Sequence, residues 1–340
     1  MDMGGQWNLK LIAKMFFLAM IGIFIFAIAE KDKKVLILHS FSANSAWVRD
    51  LNIGLQRSLN EAQNLEIHHH HLDLGDNPSS EVRLKSFYRA RQVIDNLNPD
   101  LIVSFDDEAQ SLLASYYLKE DRKIVFSAVN GNVADYGYDQ AANVAGIVEE
   151  IPLQAMRDAL LDTLKEQGGR VIYLSDNSLL SKRDAQRFME FEWSPLVAVN
   201  AVTVDSFEDW KAAVVEANTK ADAVVVGYYR RLPADSSDRT IVDGAQVLQW
   251  TVQNAKPPLI GTTRRHVSDG LNLALTASPY ELGEQAGHLA RTMLKGEAVQ
   301  QKIMRPKYFL VHMREITGNS ATPLQRAYEA FAMALHKLVK

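Results

Sequence analysis

Along this chain, short apolar runs that stop at polar residues alternate with longer segments in which apolar residues recur every three or four positions. Val35–Leu38 is a first such run, ending in His39-Ser40-Phe41-Ser42. It is followed over Trp47–Ala62 by Val48, Leu51, Leu55, Leu59 and Ala62 at helical spacing. Leu65–Leu72 reads as a second strand, Gly75-Asp76-Asn77-Pro78 as a turn, and Phe87, Ala90, Ile94 and Leu97 as one face of a second helix. That helix should end near Asn98, because a residue before proline is biased away from the helical region. Pro99–Asn130 then holds two short runs, Leu101–Phe105 and Ile124–Val129, around a helical segment. This strand–helix–strand unit puts Asp106, Asp107, Ser127 and Asn130 at the carboxyl ends of strands, where an open parallel sheet binds ligands.

Val144–Val148 is one more run, and Pro152 stands at a first helical position ahead of Leu153, Met156, Leu160 and Leu164. Gly168-Gly169 should stop that helix. The alternation then restarts with strands at Val171–Leu174, Val197–Val204, Ala223–Gly227 and Leu259–Thr262, and helices at Leu179–Glu190, Phe207–Asn218 and Thr240–Asn254. Leu271–Thr276 is read as a strand, and Ser278-Pro279-Tyr280-Glu281 as a helix start with a capping box. Tyr308–Val311 reads as a late strand and Leu324–Leu338 as a terminal helix. Strands and helices in this order predict an α/β protein with two parallel sheets and right-handed crossovers.

The first residues have a different character. Lys10 and Lys14 precede the apolar run Met15–Ala29, which ends Ala27-Ile28-Ala29 before Glu30-Lys31-Asp32-Lys33-Lys34. This is the form of a secretory signal peptide, 1–29, with cleavage expected after Ala29. The competing reading is a retained anchor, against which the run is shorter than the roughly 20 residues a spanning helix uses. Cleavage would remove two Lys and one Asp and take the net charge from −4 to −5. The chain has 340 residues and no cysteine, so an exported form has no disulfide framework and depends on its apolar core. Its Lys and Arg are scattered, which gives no basic face for nucleic acid.

The His-Ser-Phe end of the first strand with Trp47 beyond it, the run Pro99–Asp107, the run Val125–Asn130 and Val144-Ala145-Gly146-Ile147-Val148 together resemble the ABC-transporter substrate-binding family. The resemblance implies the type I periplasmic binding protein fold: two Rossmann-like lobes with parallel sheets, joined by a multi-strand hinge that closes on a ligand. Lobe one would comprise 33–148 plus 274–300, and lobe two 149–273 plus 301–318, with 319–340 a C-terminal helix extension. It further implies a periplasmic monomer whose partners are a small organic ligand, such as an amino acid, and an ABC permease. The same fold serves in sensors, and the alternative is a stand-alone periplasmic sensor that signals to a separate histidine kinase or cyclic-dinucleotide enzyme. No cofactor is expected.

Placed on that frame, the candidate ligand residues of lobe one are Ser40, Phe41, Ser42, Trp47, Phe105, Asp106, Asp107, Ser127, Ala128, Val129 and Asn130. Free amides at helix N-termini favour an anion, whereas Asp106 or Asp107 suits an ammonium or hydroxyl group. Asp107 has a second reading as a helix N-cap with Gln110, and Trp47 as a ring packed on its own helix. Lobe two offers Ser175, Asn177, Tyr228, Tyr229, Arg230 and Thr262. Arg230 is a natural carboxylate partner through its planar fork, with Arg231 and Arg264 competing.

His68-His69-His70-His71 invites a metal reading, but successive strand residues face opposite ways, so at most two share a side and no metal site is expected. GxxxxGK[ST], GxGxxG, GxSxG and HExxH are all absent, and Asp106-Asp107-Glu108 lacks a positioned partner for acid–base work. A binding protein, not an enzyme, is the expectation.

Overall fold

The computed structural model describes residues 11–20, 32–61, 64–75, 78–119, 122–164 and 169–314, together with 326 and 328. Residues 11–20 are helical and exposed. Among the described residues no helix is long and apolar enough to cross a membrane. The cleavage expected after Ala29, the middle of the Gly75–Pro78 turn, the Gly168 helix stop and most of Leu324–Leu338 lie outside the described residues.

The first half of the chain runs β1 (Lys33–His39), α1 (Ala46–Leu59), β2 (Leu65–His71), α2 (Ser80–Leu97), β3 (Leu101–Phe105), α3 (Asp106–Tyr116), β4 (Lys123–Val129) and β5 (Val144–Val148). It continues with α4 (Leu153–Leu164), β6 (Arg170–Asp176), α5 (Leu179–Glu190), β7 (Val197–Val204), α6 (Phe207–Lys220), β8 (Ala223–Val226) and α7 (Gly244–Asn254). The last elements are β9 (Leu259–Gly261), α8 (Arg264–Asp269), β10 (Leu273–Ala277), α9 (Pro279–Leu294), β11 (Ile303–Met304) and β12 (Phe309–Met313). One sheet has the order β11-β5-β4-β3-β1-β2 and the other β12-β10-β9-β8-β6-β7. The runs β2-β1-β3-β4 and β7-β6-β8-β9-β10 pair in parallel, and β12 joins β10 antiparallel. Every residue of β3 and β5 is buried, as strands covered on both faces require.

Both sheets wind outward in two directions from their first strand, so strand order reverses between β1 and β3 in one and between β6 and β8 in the other. A reversal parts the crossover loops and opens a crevice at the strands' carboxyl ends. The chain divides into unit 1 (Met1–Ser127, Tyr136–Gly146, Gly283–Lys302) and unit 2 (Ala128–Asp135, Ile147–Leu282, Ile303–Lys340). This differs from the boundaries expected from the sequence, which gave 274–300 to lobe one. β10 pairs with β9 and β12 in the second sheet, and the chain passes to unit 1 only at Gly283. A short apolar run shows that a strand exists but not which sheet receives it.

Local chemistry sets several ends. Asn98 stops α2 in the left-handed conformation (φ 48°), and Asp243 starts α7 by accepting from the amides of Ala245 and Gln246. That cap places the start of α7 beyond Thr240, where periodicity alone had put it. Ser278 receives the Glu281 amide at 3.4 Å, but the Glu281 carboxylate does not complete the capping box. It accepts the backbone N–H groups of Lys307 (2.8 Å) and Tyr308 (2.8 Å) and so fastens the segment entering β12. Gly283 lies where an added Cβ would stand 2.0 Å from the Leu51 carbonyl oxygen, so α9 can meet α1 this closely only without a side chain.

Candidate functional site

In unit 1 the ends of β1 and β3 are stitched together across the strand-order reversal. Ser40 donates its hydroxyl to the Phe105 carbonyl (2.8 Å) and accepts the Ala109 amide of α3 (3.0 Å). It is fully buried, so its role is to hold the β1 loop against the first turn of α3. The helix begins at Asp106 with Phe105 as N-cap and no side-chain cap of its own, which removes the N-cap reading of Asp107. Asp107 instead accepts the Tyr136 hydroxyl at 2.8 Å. Gln110, the expected partner of that cap, is buried between Ser104 (2.8 Å) and Tyr138 (3.0 Å), whose hydroxyls it accepts.

Asp106 is the unusual group. Its backbone is left-handed at φ 65°, a conformation that costs a non-glycine residue energy and that gathers at ligand sites. Its Oδ1 accepts the Trp47 indole N–H at 2.8 Å, while Oδ2 is buried with no hydrogen-bond partner. Burial, opposed by the Trp47 hydrogen bond and reinforced by the nearby Asp107 charge, pushes its carboxyl up to about 8. Trp47 is half-buried, and its indole nitrogen is committed to Asp106. Ala128, near the end of β4, is also left-handed (φ 57°).

His39 supports this edge from below. Its ring stacks on Phe105 (centroids 4.8 Å apart) and on His71 (5.1 Å), and its Nε2 meets the Asn52 side-chain oxygen at 3.0 Å. Desolvation lowers its pKa to about 3, so the imidazole is neutral at physiological pH. Phe105, expected as a ligand contact, is fully buried with its ring in this stack. The histidine run follows strand alternation: His71 and His69 stack on His39, whereas His68 pairs with Glu66 at 2.8 Å. Among the described residues, no group of three or more His, Cys, Asp or Glu is placed to hold a metal ion.

In unit 2 the reversal lies between Asp176, ending β6, and Gly227-Tyr228, following β8. The Asp176 amide donates to the Tyr228 carbonyl (2.6 Å), and the Asp176 carboxylate accepts from Ser181 (2.6 Å) and the Ser178 amide (3.1 Å). Gly227 admits the Tyr173 ring, whose hydroxyl would stand 2.1 Å from a Cβ there. Arg230 and the Tyr229 hydroxyl both bond the Asp269 carboxylate, the latter at 2.6 Å. Arg230 therefore has a carboxylate partner already in its own unit. His266 is buried on α8, a helix the sequence reading missed. Its Nε2 meets the Gly227 carbonyl at 2.8 Å, and burial lowers its pKa to about 4.

The expected site residues thus divide by exposure. Phe41, Ser42, Trp47, Asp107, Asn130, Asn177, Tyr228 and Arg230 are partly accessible. Ser40, Phe105, Asp106, Ser127, Ala128, Val129, Ser175, Tyr229 and Thr262 are buried. Asn130 donates to Glu149 (3.1 Å), and Asn177 to Asp205 (2.6 Å). Asp269, Tyr136 and His266 were not foreseen; they lie in segments with no strand-end signal in the sequence.

Two doubly wound sheets, each with polar residues at its strand reversal, define an α/β protein whose strand ends are placed as in ligand-binding folds of this class. The family described as ABC transporter substrate binding protein matches residues 48–307, and the chain belongs to that family, which comprises binding proteins and not enzymes. No curated protein matches the sequence. Among solved structures the chain is similar to an ABC domain from Streptococcus pneumoniae in complex with L-Trp (17% identity, 82% of this chain and 92% of that one, TM-score 0.56). It is also similar to the ligand-free, open form of a substrate-binding protein with adhesive properties from Clostridium difficile (14%, 85% and 97%, TM-score 0.61). A third likeness is to a conserved domain protein from Vibrio cholerae (17%, 87% and 98%, TM-score 0.55). These likenesses show the type I periplasmic binding protein fold.

Proposed function

We propose that this protein is exported to the periplasm and captures a small organic ligand, an amino acid or a molecule of similar size and polarity, for an ABC importer. Capture would follow the family mode, in which the closed state is favoured by ligand contacts the open state lacks. The observation that carries the reading is the Trp47–Asp106 pair: a half-buried indole and a buried carboxyl with one unbonded oxygen, at the strand-order reversal of a binding-protein fold. Phe41, Ser42, Asp107, Asn130, Asn177, Tyr228 and Arg230 are the proposed direct contacts, and the buried strand-end residues position them. Ser40 belongs to the second group because both of its hydrogen bonds are internal.

Mass spectrometry of molecules co-purifying with the native protein, followed by isothermal titration over a metabolite panel, tests the proposal. A bound amino acid or similar solute, with a smaller radius of gyration on saturation, is the expected result. No binding across the panel and unchanged scattering would sink it.

A further inference from the structure

One carboxylate oxygen of Asp106, Oδ2, is buried without a hydrogen-bond partner. A buried polar atom without a partner costs about 1–3 kcal/mol, and a native structure keeps one only with a reason. Among the described residues no cationic side chain pairs with Asp106, although it is only 7% exposed. Its Oδ1 is fixed by Trp47 at 2.8 Å, which leaves Oδ2 as the open valence on a strained turn.

Resting on the binding reading above, we propose that Asp106 is the seat of a cationic ligand group, an ammonium or guanidinium, and that capture of this group expels one proton from the carboxyl to solvent. In the free protein the carboxyl is a neutral acid: among the described residues the only side-chain hydrogen bond that favours its charged form is one indole N–H. When the ligand's cation arrives, its N–H donates to Oδ2 and the O–H bond of Asp106 breaks. The proton leaves to water, and the buried carboxylate is then paired both with the cation and with Trp47. The half-buried Trp47 ring, bonded to the carboxyl through its N–H, packs against the ligand's carbon skeleton.

The ionisable groups around Asp106 do not supply this charge themselves. Asp107 raises the carboxyl further and is bonded by Tyr136, and Glu108 is paired with Arg83. On α1 Arg49 pairs with Asp50, and at the end of β1 His39 is neutral. Ser40, Phe41, Ser42 and Ser127 at the neighbouring strand ends bring no ionisable side chain.

Proton release makes the idea measurable without knowing the natural ligand. Calorimetric titrations of the wild-type protein are run in two buffers of different ionisation enthalpy with L-tryptophan, L-arginine and putrescine. Indole-3-propionate and D-galactose, which lack an ammonium, are the controls. With the Asp106 carboxyl at about 8, a cationic probe that binds should release about 0.9 proton at pH 7, and its affinity should rise roughly fiftyfold from pH 6 to pH 8. Asp106→Asn should abolish both the release and the pH dependence. If that variant does not fold, a carbon-13 carboxyl titration of the wild-type protein with and without the bound probe replaces it. Asp106 should titrate near 8 when free and well below 7 when occupied. Cationic probes that bind with no proton release, or binding confined to the uncharged or anionic controls, overturn this inference and leave the binding function standing. Absence of binding by every probe and by the metabolite panel removes both.

Discussion

At the scale of single residues, the strand-end edges depend on groups whose charge is suppressed by burial. His39 has its pKa lowered to about 3 and His266 to about 4, so the unfolded chain binds protons that the native fold refuses. The stability these imidazoles hold is complete above about pH 6.5 and is lost as pH falls from there through the folded values. His39→Gln should therefore flatten the decline of melting temperature between pH 6 and 4, as differential scanning fluorimetry would show; a decline as steep as in the wild-type protein would disprove it. Asp106 has the opposite sign. A raised carboxyl favours the fold at low pH and loses that contribution as pH climbs from about 4 to about 8, so Asp106→Asn should gain stability over the wild-type protein at pH 8.5 and little at pH 4. Ser40→Ala removes one donor and one acceptor from buried backbone groups. It should cost about 1–3 kcal/mol in urea unfolding and weaken ligand binding with it.

The elements show which contacts a side-chain pattern announces and which it hides. Gly283→Ala should destabilise the protein markedly, because the new methyl group would meet the Leu51 carbonyl at 2.0 Å and push α9 off α1. Equilibrium unfolding checks this, and a change within 0.5 kcal/mol, about the size of a surface substitution, would contradict it. Glu281→Ala frees the amides of Lys307 and Tyr308, so limited proteolysis should cut between β11 and β12 faster than in the wild-type protein, with the Ser278 cap intact. The helix start at Ser278-Pro279 was legible because capping chemistry is local. The destination of Glu281 was not, since its partners lie some two dozen residues downstream. Helix α8 was missed for a related reason: six residues give no period, and its anchor, His266 on the Gly227 carbonyl, is a long-range contact.

For the whole molecule, the family match over 48–307 and the two six-stranded sheets bear out the α/β binding-protein expectation from the alternating pattern. The unit boundaries departed from it, since residues 274–282 stay with the second sheet's unit. Ligand linkage acts at this scale. Saturation at 100 times Kd should raise unfolding stability by about 2.7 kcal/mol, read as a shift in thermal midpoint that Asp106→Ala diminishes. An unchanged midpoint in the presence of a binding solute would argue against selective binding to the native state.

By itself the sequence determined the alternation of strands and helices, the restart of that alternation in the second half, the polar residues that end each strand and the absence of any cysteine staple. These are set by period, length and residue type within a few positions, so they survive translation into one dimension. Only the tertiary structure decided which strand-end residues are buried supports and which reach solvent. It turned Ser40 into a brace, put Phe105 in a ring stack, gave Arg230 to Asp269, and left one oxygen of Asp106 unbonded while Trp47 holds the other. Those outcomes depend on partners distant in the chain and on the desolvation their packing imposes, and no local pattern records either.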